Sequence, residues 1–319
     1  EPEAIFTLSL DYIRIYFFGS IFSLTYNIGA GILNAIGDSR KPLYFLICST
    51  IINVVLDIVF VRVFGLGVQG VAFATIISQF CSACLVLFSL SRTRDLHRFE
   101  FKKLRFDGEI LKKVIYIGFP AGIQSTMYSI SNIFIQSSIN SFGTDTIAAY
   151  TVYGKIDGLF WMMMNAFGIS AMTFAAQNFG AHKLDRVHKC VKTCLVMAFG
   201  STVVVSIFLY FSSTMFFRIF TDDVNVITIG NSMLRFLVPM YFTWVCIEIL
   251  SSVIRASGDS LGPLIISAIG ICLMRVLWVF FVVPYNHNII VLIASYSVTW
   301  VLCSLAFIVY YRRKIKGWF

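Results

Sequence analysis

Long apolar runs alternate with short polar segments from one end of the chain to the other. Nine of these runs have about the 20 residues that a helix needs to cross a bilayer. They predict helices over about 11–36, 43–63, 68–90, 117–142, 146–179, 190–220, 226–257, 264–283 and 289–311. The run at 146–179 is longer than a bilayer needs, so its helix must tilt, break or extend beyond the membrane. The connecting segments alternate in charge. GDSRKP, the stretch 92–112, AHKLDRVHK and the YRRKIK tail are basic, whereas FGLG, FGTDT, TDDVN and PYNHN are neutral or acidic. Basic loops stay in the cytoplasm, which predicts a cytoplasmic C-terminus and an outward start. The segment 92–112 divides the chain into 1–91, with three helices, and 113–319, with six. The opening EPEAIF has no signal-peptide pattern, so further helices are expected upstream.

Composition agrees with the pattern. Hydrophobic residues make up 58% and charged residues only 13%, and the mean hydropathy is +0.83. A soluble domain is about 25% charged. These features predict an all-α integral membrane protein. The net charge of +9 lies in loops between apolar runs and is not interleaved with exposed aromatics, so no nucleic-acid partner is expected. Neither a phosphate-binding loop nor a nucleophile elbow is present, which argues against an enzyme. The four histidines lack metal-ligand spacing. Cys81 and Cys84 form a C-x-x-C inside an apolar run, where lipid- or core-facing thiols are the simplest reading.

An internal repeat links the two halves. GDSRKPL (37–43) and GDSLGPL (258–264) match at five of seven positions, offset by 221 residues. Both follow a helix, precede a long apolar helix and lie on the basic side, so the copies are parallel. Three helices precede the second copy's equivalent within 113–319, and the first copy lacks them. The expected whole is twelve helices in two lobes of six, of which this chain holds about nine.

Polar residues inside the apolar runs are the candidates for function. Asn53 and Asp57 are four residues apart, hence on one face of the second helix. A carboxylate at membrane depth costs about 2.5–3.5 kcal/mol on insertion scales, so this face must meet protein, water or an ion. A hard cation wants such oxygens, and a desolvated Asp can also carry a proton. A polar pair that ties helices together is the alternative. In the fourth helix Gln124, Tyr128, Asn132, Gln136 and Asn140 recur at four-residue steps. This stripe suits either the wall of a water-filled cavity or interhelical hydrogen bonding. The fifth helix adds Lys155, Asp157 and Asn165, with Lys155 and Asp157 on different faces. Trp161 and Met162, Met163 and Met164 offer adaptable apolar surface. Glu248 and Arg275 are expected to pair with each other, which makes both bearable in the membrane.

The chain resembles the multidrug and toxic compound extrusion (MATE) family. The likeness lies in Gly31-Ile32-Leu33-Asn34-Ala35-Ile36-Gly37-Asp38-Ser39 with Pro42, the Asn53/Asp57 helix, Gly67-Val68-Gln69-Gly70-Val71-Ala72, Gly118-Phe119-Pro120, Gln177-Asn178-Phe179-Gly180-Ala181 and Ile254-Arg255-Ala256-Ser257-Gly258-Asp259-Ser260. The resemblance implies a two-lobed secondary antiporter of the cell membrane that expels small organic, often cationic, compounds in exchange for Na+ or H+. No cofactor other than the coupling ion is implied, and the protein is expected to be a monomer in the lipid bilayer. Family members bind the cation with an Asn and an Asp one turn apart, a Thr on the next helix and an Asp on their first helix. Asn53, Asp57 and Thr75 match the first three, and the helix that would carry the fourth is not in this chain. At two positions where some members carry second-lobe carboxylates, this chain has Tyr128 and Trp244. At the repeat offset Asn53 and Asp57 fall on Met274 and Trp278, so the pair has no second copy. The substrate-cavity candidates are Gln124, Tyr128, Asn132, Gln136, Lys155, Asp157 and Asn165. A flippase for lipid-linked saccharides shares the two-lobed shape, but would favour many Arg residues facing the cavity. A channel would show a filter motif, and none is found.

Overall fold

In lipid, backbone N–H and C=O groups find no water, so each spanning segment must satisfy its own hydrogen bonds as a helix. The computed structural model, which describes residues 3–95 and 97–316, is helical throughout its spanning segments, with no strand among the described residues. The helices are α1 (Glu3–Ala35), α2 (Arg40–Ile58), α3 (Gly67–Arg92), α4 (Gly108–Asn140), α5 (Thr144–Gly180), α6 (Leu184–Phe220), α7 (Val224–Leu237), α8 (Tyr241–Ala256), α9 (Leu261–Ser267), α10 (Met274–Phe281) and α11 (Ile289–Ile315). Among the described residues, eight spans are long and apolar enough to cross a membrane: α1, α2, α3, α5, α6, α7 with α8, α9 with α10, and α11. The 33-residue α4 is also long enough, but its amide stripe and its lysines dilute its hydropathy. α4 begins at Gly108, inside the expected linker, because the Asp107 carboxylate caps it by accepting from the Glu109 and Ile110 N–H groups. The chain separates into two units, 1–106 and 107–319.

In the first unit α3 packs on both α1 and α2. Gly19 and Gly29 of α1 face Ile76 and Val86 of α3 so closely that a Cβ at either would lie 2.4 or 2.7 Å from a neighbouring side-chain carbon. The two contacts keep the same spacing along both helices, so α1 and α3 run parallel and touch through the small residues that permit close approach. α2 returns antiparallel to α3, and the Ser49 hydroxyl donates to the Ser78 carbonyl at 2.7 Å. After Ile58 the helix widens into a π segment, Val59–Val63.

In the second unit the span formed by α7 and α8 is central: 72% of its most apolar window is buried, and α5, α6 and α11 pack around it. This span departs from the single helix expected over 226–257. Pro239 cannot donate a helical hydrogen bond, and the chain tightens to a 3₁₀ turn at Val238–Met240 before α8 begins. The Ser206 hydroxyl donates to the Val238 carbonyl at 3.1 Å and satisfies the break. The helix expected over 264–283 is likewise interrupted, by a π segment at Ala268–Leu273 between α9 and α10. The long α5 does not break.

The two GDS turns share one geometry. Gly37 and Gly258 both have φ of +90°, a conformation open to glycine and costly for other residues. Asp38 accepts from the Lys41 N–H at 3.3 Å and Asp259 from the Gly262 N–H at 3.0 Å, so each caps the following helix at equivalent repeat positions. Their second partners differ. Asp38 binds its own Lys41 ammonium at 2.8 Å, and this bond holds its pKa below the usual carboxylate value. Asp259 takes the Tyr310 hydroxyl at 2.6 Å and the Lys314 ammonium at 2.5 Å from α11. Burial alone would raise the Asp259 pKa, but the hydrogen bonds from Lys314, Tyr310 and the Gly262 N–H outweigh burial and lower it.

Candidate functional site

Within the first unit the polar face of α2 is turned toward α3. Ser49, Asn53 and Asp57 lie on one stripe at four-residue steps, and Ser49 touches Ser78 on α3. With the two helices antiparallel, Asn53 comes level with Ala74 and Thr75. The buried Asn53 Nδ2, Asp57 Oδ1 and Gln79 Oε1 have no hydrogen-bond partner among the described residues. The Thr75 hydroxyl donates to its own helix, to the Val71 carbonyl at 2.9 Å, which leaves its oxygen free to accept. Gln79 was not assigned a role from sequence, although it stands one turn beyond Thr75 on the same face. Asn53, Asp57 and Thr75 offer carboxylate, amide and hydroxyl oxygens, the donor set a hard cation takes. Buried polar atoms ordinarily find partners, so the orphaned Asn53 Nδ2 and Asp57 Oδ1, one turn apart on α2, are open to a ligand.

The second unit contains a cavity of about 700 Å³ walled by α4, α5, α8, α10, α11 and the π segment. Six sequence candidates line it: Gln124, Tyr128, Asn132 and Gln136 from α4, and Asp157 and Asn165 from α5. Lys155 does not. It is exposed on another side of α5, because two residues turn a helix by about 200°. The stripe on α4 combines both readings left open by sequence, since its amides face the cavity and also hydrogen-bond to other helices.

Aromatic rings form one wall. Trp161 and Trp244 meet edge-to-face with centroids 4.7 Å apart, and Trp300 completes the group at 5.9 Å from Trp244. The Asp157 carboxylate accepts from Trp161 Nε1 at 2.6 Å and from the Tyr241 hydroxyl. Tyr241 is the first residue after the 3₁₀ break, so the kink at Pro239 sets where this donor meets Asp157. Glu248 accepts from Trp244 Nε1 at 3.2 Å and lies against the bare backbone of Gly168, where a Cβ would come within 2.3 Å of its Oε1.

The expected Glu248–Arg275 pair is not formed. Both side chains line the cavity, but the described ion pairs are Lys41–Asp38, Lys103–Glu100 and Lys314–Asp259. Arg275 instead donates to Asn132 Oδ1 at 3.3 Å and lies 4.1 Å from the centroid of the Tyr296 ring. The cause is geometric: a π turn adds a residue and re-phases the helix beyond it by about 100°. The phase of Arg275, just past such a turn, therefore cannot be read from α-helical spacing. Arg255, to which sequence assigned no role in the cavity, donates to Gln124 Oε1 at 3.2 Å. Gln124 in turn donates to the Ser267 hydroxyl at 2.8 Å.

Relatives and solved structures agree with this architecture. The chain is 30% identical over 279 residues to "Probable multidrug resistance protein YoeA" of Bacillus subtilis, covering 85% of this chain and 60% of that protein. It is 25% identical to "Probable multidrug resistance protein YpnP" of the same organism, covering 86% of this chain and 61% of the relative. The chain thus spans about 60% of the length of these curated relatives. The crystal structure of MATE in the bent conformation superimposes with a TM-score of 0.90 at 20% identity, covering 100% of this chain and 71% of that one. An outward-facing multidrug resistance MATE family transporter of the MOP superfamily superimposes with a TM-score of 0.89 at 20% identity, covering 97% and 69%. At that identity the two structures establish the shared fold. The sequence profile of the MatE family matches residues 1–59 and 120–281, and the chain therefore belongs to the MatE family.

Proposed function

We propose that this chain serves a secondary active efflux antiporter, which expels small organic cations in exchange for Na+ or H+ by alternating access. The observation that carries the reading is the cavity of about 700 Å³ in which Asp157 and Glu248 stand beside three tryptophans. An organic cation finds carboxylates for its charge and ring faces for its body there. The names of the relatives as multidrug resistance proteins support the same reading. The coupling ion is assigned to Asn53, Asp57 and Thr75. Ion binding there biases the equilibrium between outward- and inward-open states, and substrate competes through its different affinity for those states. The protein is read as a multi-pass protein of the cell membrane with its C-terminus in the cytoplasm, on the alternation of loop charge.

The test is efflux from vesicles holding the full-length protein, with sodium and proton gradients imposed separately. One gradient should drive efflux, and Asp57→Asn should abolish it while the protein still folds. Unchanged efflux in that variant under both gradients would sink the assignment.

A further inference from the structure

α3 ends at Arg92, and the chain after it stays beside the helix end. The Phe99 N–H donates to the Leu90 carbonyl at 2.9 Å, and the Phe99 ring packs on the cluster of Leu33, Val86 and Leu90. Leu90 stands two residues before the end of α3, or about 3 Å back along the helix. The segment therefore doubles back to the depth of the last turn of α3. Phe101 meets Phe99 edge-to-face with centroids 4.6 Å apart and opens a 3₁₀ turn, Phe101–Lys103, after which Leu104 is extended. Residues three apart eclipse in a 3₁₀ turn, and residues two apart share a face in extended chain. Phe101, Leu104 and Phe106 thus fall on one side, with Lys102, Lys103 and Arg105 off it. Phe101 and Leu104 are each 65% exposed and Phe106 is 97% exposed.

The same stretch is strongly basic. Residues 92–105 hold six Lys or Arg against Asp95 and Glu100. Lys103 pairs with Glu100 at 3.0 Å. Among the described residues Arg94, Arg98, Lys102 and Arg105 have no ion-pair partner, and all four are exposed. Apolar side chains bare to water are unfavourable, and unbalanced positive charge attracts an anionic surface. A bilayer with negative head groups answers both, since it takes the apolar side below its phosphates and the basic side at them. We propose that residues 98–106 dock into the head-group layer of a bilayer containing anionic phospholipid, with Phe101, Leu104 and Phe106 inserted and Arg98, Lys102 and Arg105 on lipid phosphates. The bilayer is the partner because the bond from Phe99 to Leu90 holds the segment against the end of α3, a span long and apolar enough to cross the membrane. At that depth the nearest anionic groups are lipid phosphates.

The experiment is hydrogen–deuterium exchange on the full-length protein in nanodiscs of phosphatidylcholine alone and of phosphatidylcholine with phosphatidylglycerol. Amides of residues 101–106 should exchange about fivefold more slowly with phosphatidylglycerol, the scale of one basic side chain held at an anionic surface. Lys102→Gln with Arg105→Gln, which breaks no described ion pair, should return the segment to its rate in phosphatidylcholine. Phe101→Ser with Phe106→Ser should do the same with every charge in place. Unchanged exchange along α3 shows that each variant is folded. Equal rates in the two nanodiscs overturn the proposal, whether fast because water covers the segment or slow because protein does. Slowing that survives in either double variant also overturns it. Glycerol 1-phosphate added to phosphatidylcholine nanodiscs should leave the rate unchanged; slowing equal to that by phosphatidylglycerol would make free phosphate the ligand and overturn the bilayer as partner.

Discussion

Asp57→Asn should make the chain more stable while it disables transport. The Asp57 carboxylate lies within a spanning helix, and its buried Oδ1 has no partner among the described residues. A carboxylate at membrane depth costs about 2.5–3.5 kcal/mol on insertion scales. An asparagine of the same shape removes the charge and retains an unsatisfied amide, worth about 1 kcal/mol at the low end for a buried unpaired group. The difference predicts a stabilisation of about 2 kcal/mol in buffer free of the coupling ion. Should that ion be Na+, its binding supplies the missing counter-charge. At a hundredfold excess over its dissociation constant, the unaltered chain gains about 2.7 kcal/mol, and the variant's advantage disappears. The assay is SDS-induced unfolding in mixed micelles, followed by helical circular dichroism in choline chloride and in sodium chloride at equal ionic strength. Tryptophan fluorescence would not serve, because all five tryptophans lie in the second unit. If Asp57→Asn is less stable than the unaltered chain in choline chloride, the carboxylate is making a favourable structural contact. The ion-site reasoning is then wrong.

Three further outcomes follow from the second unit. Gly168→Ala places a methyl group 2.3 Å from Glu248 Oε1 and should destabilise by about 1–3 kcal/mol as the carboxylate is displaced from Trp244; tryptophan fluorescence during SDS unfolding reads it, and a neutral effect would mean that the Glu248 side chain swings aside at no cost and its bond to Trp244 adds nothing to stability. Tyr241→Phe removes a hydroxyl donor from the Asp157 carboxylate and should cost about 1.5–3 kcal/mol in the same assay. Asp259→Asn should lower thermal stability at neutral pH, since Asp259 ties its turn to Tyr310 and Lys314. The folded pKa of Asp259 is lowered from 3.8, so its contribution is fully present above that value and is lost as pH falls through the lower folded value. The gap between variant and unaltered chain should therefore be constant near neutrality and close in acid; a gap that widens in acid would reverse the sign of the linkage.

Sequence alone determined what depends on one segment at a time. The spans follow from apolar length, because a bilayer admits only self-satisfied backbone. The paired GDS turns follow from a glycine with positive φ and an aspartate that caps the next helix, both local features. Periodicity put Asn53 with Asp57, and Gln124 with Tyr128, Asn132 and Gln136, because residues four apart share a face. It also separated Lys155 from Asp157.

Only the tertiary structure decided which face of each helix meets lipid and which meets protein. Lipid tails are as apolar as Leu, so hydropathy does not distinguish a lipid-facing stripe from a packed one. Nothing in the pattern marked α7 and α8 as the buried centre, or Trp244 and Trp300 as the cavity wall. The two interruptions were equally hidden. The 3₁₀ turn at Pro239 sets Tyr241 against Asp157, and the π segment before Arg275 re-phases a helix whose sequence reads as continuous. Opposite charge alone pairs Glu248 with Arg275, whereas the fold gives Glu248 to Trp244, Arg275 to Asn132 and Arg255 to Gln124. Partners across helices depend on azimuth and register, and a single chain pattern carries neither.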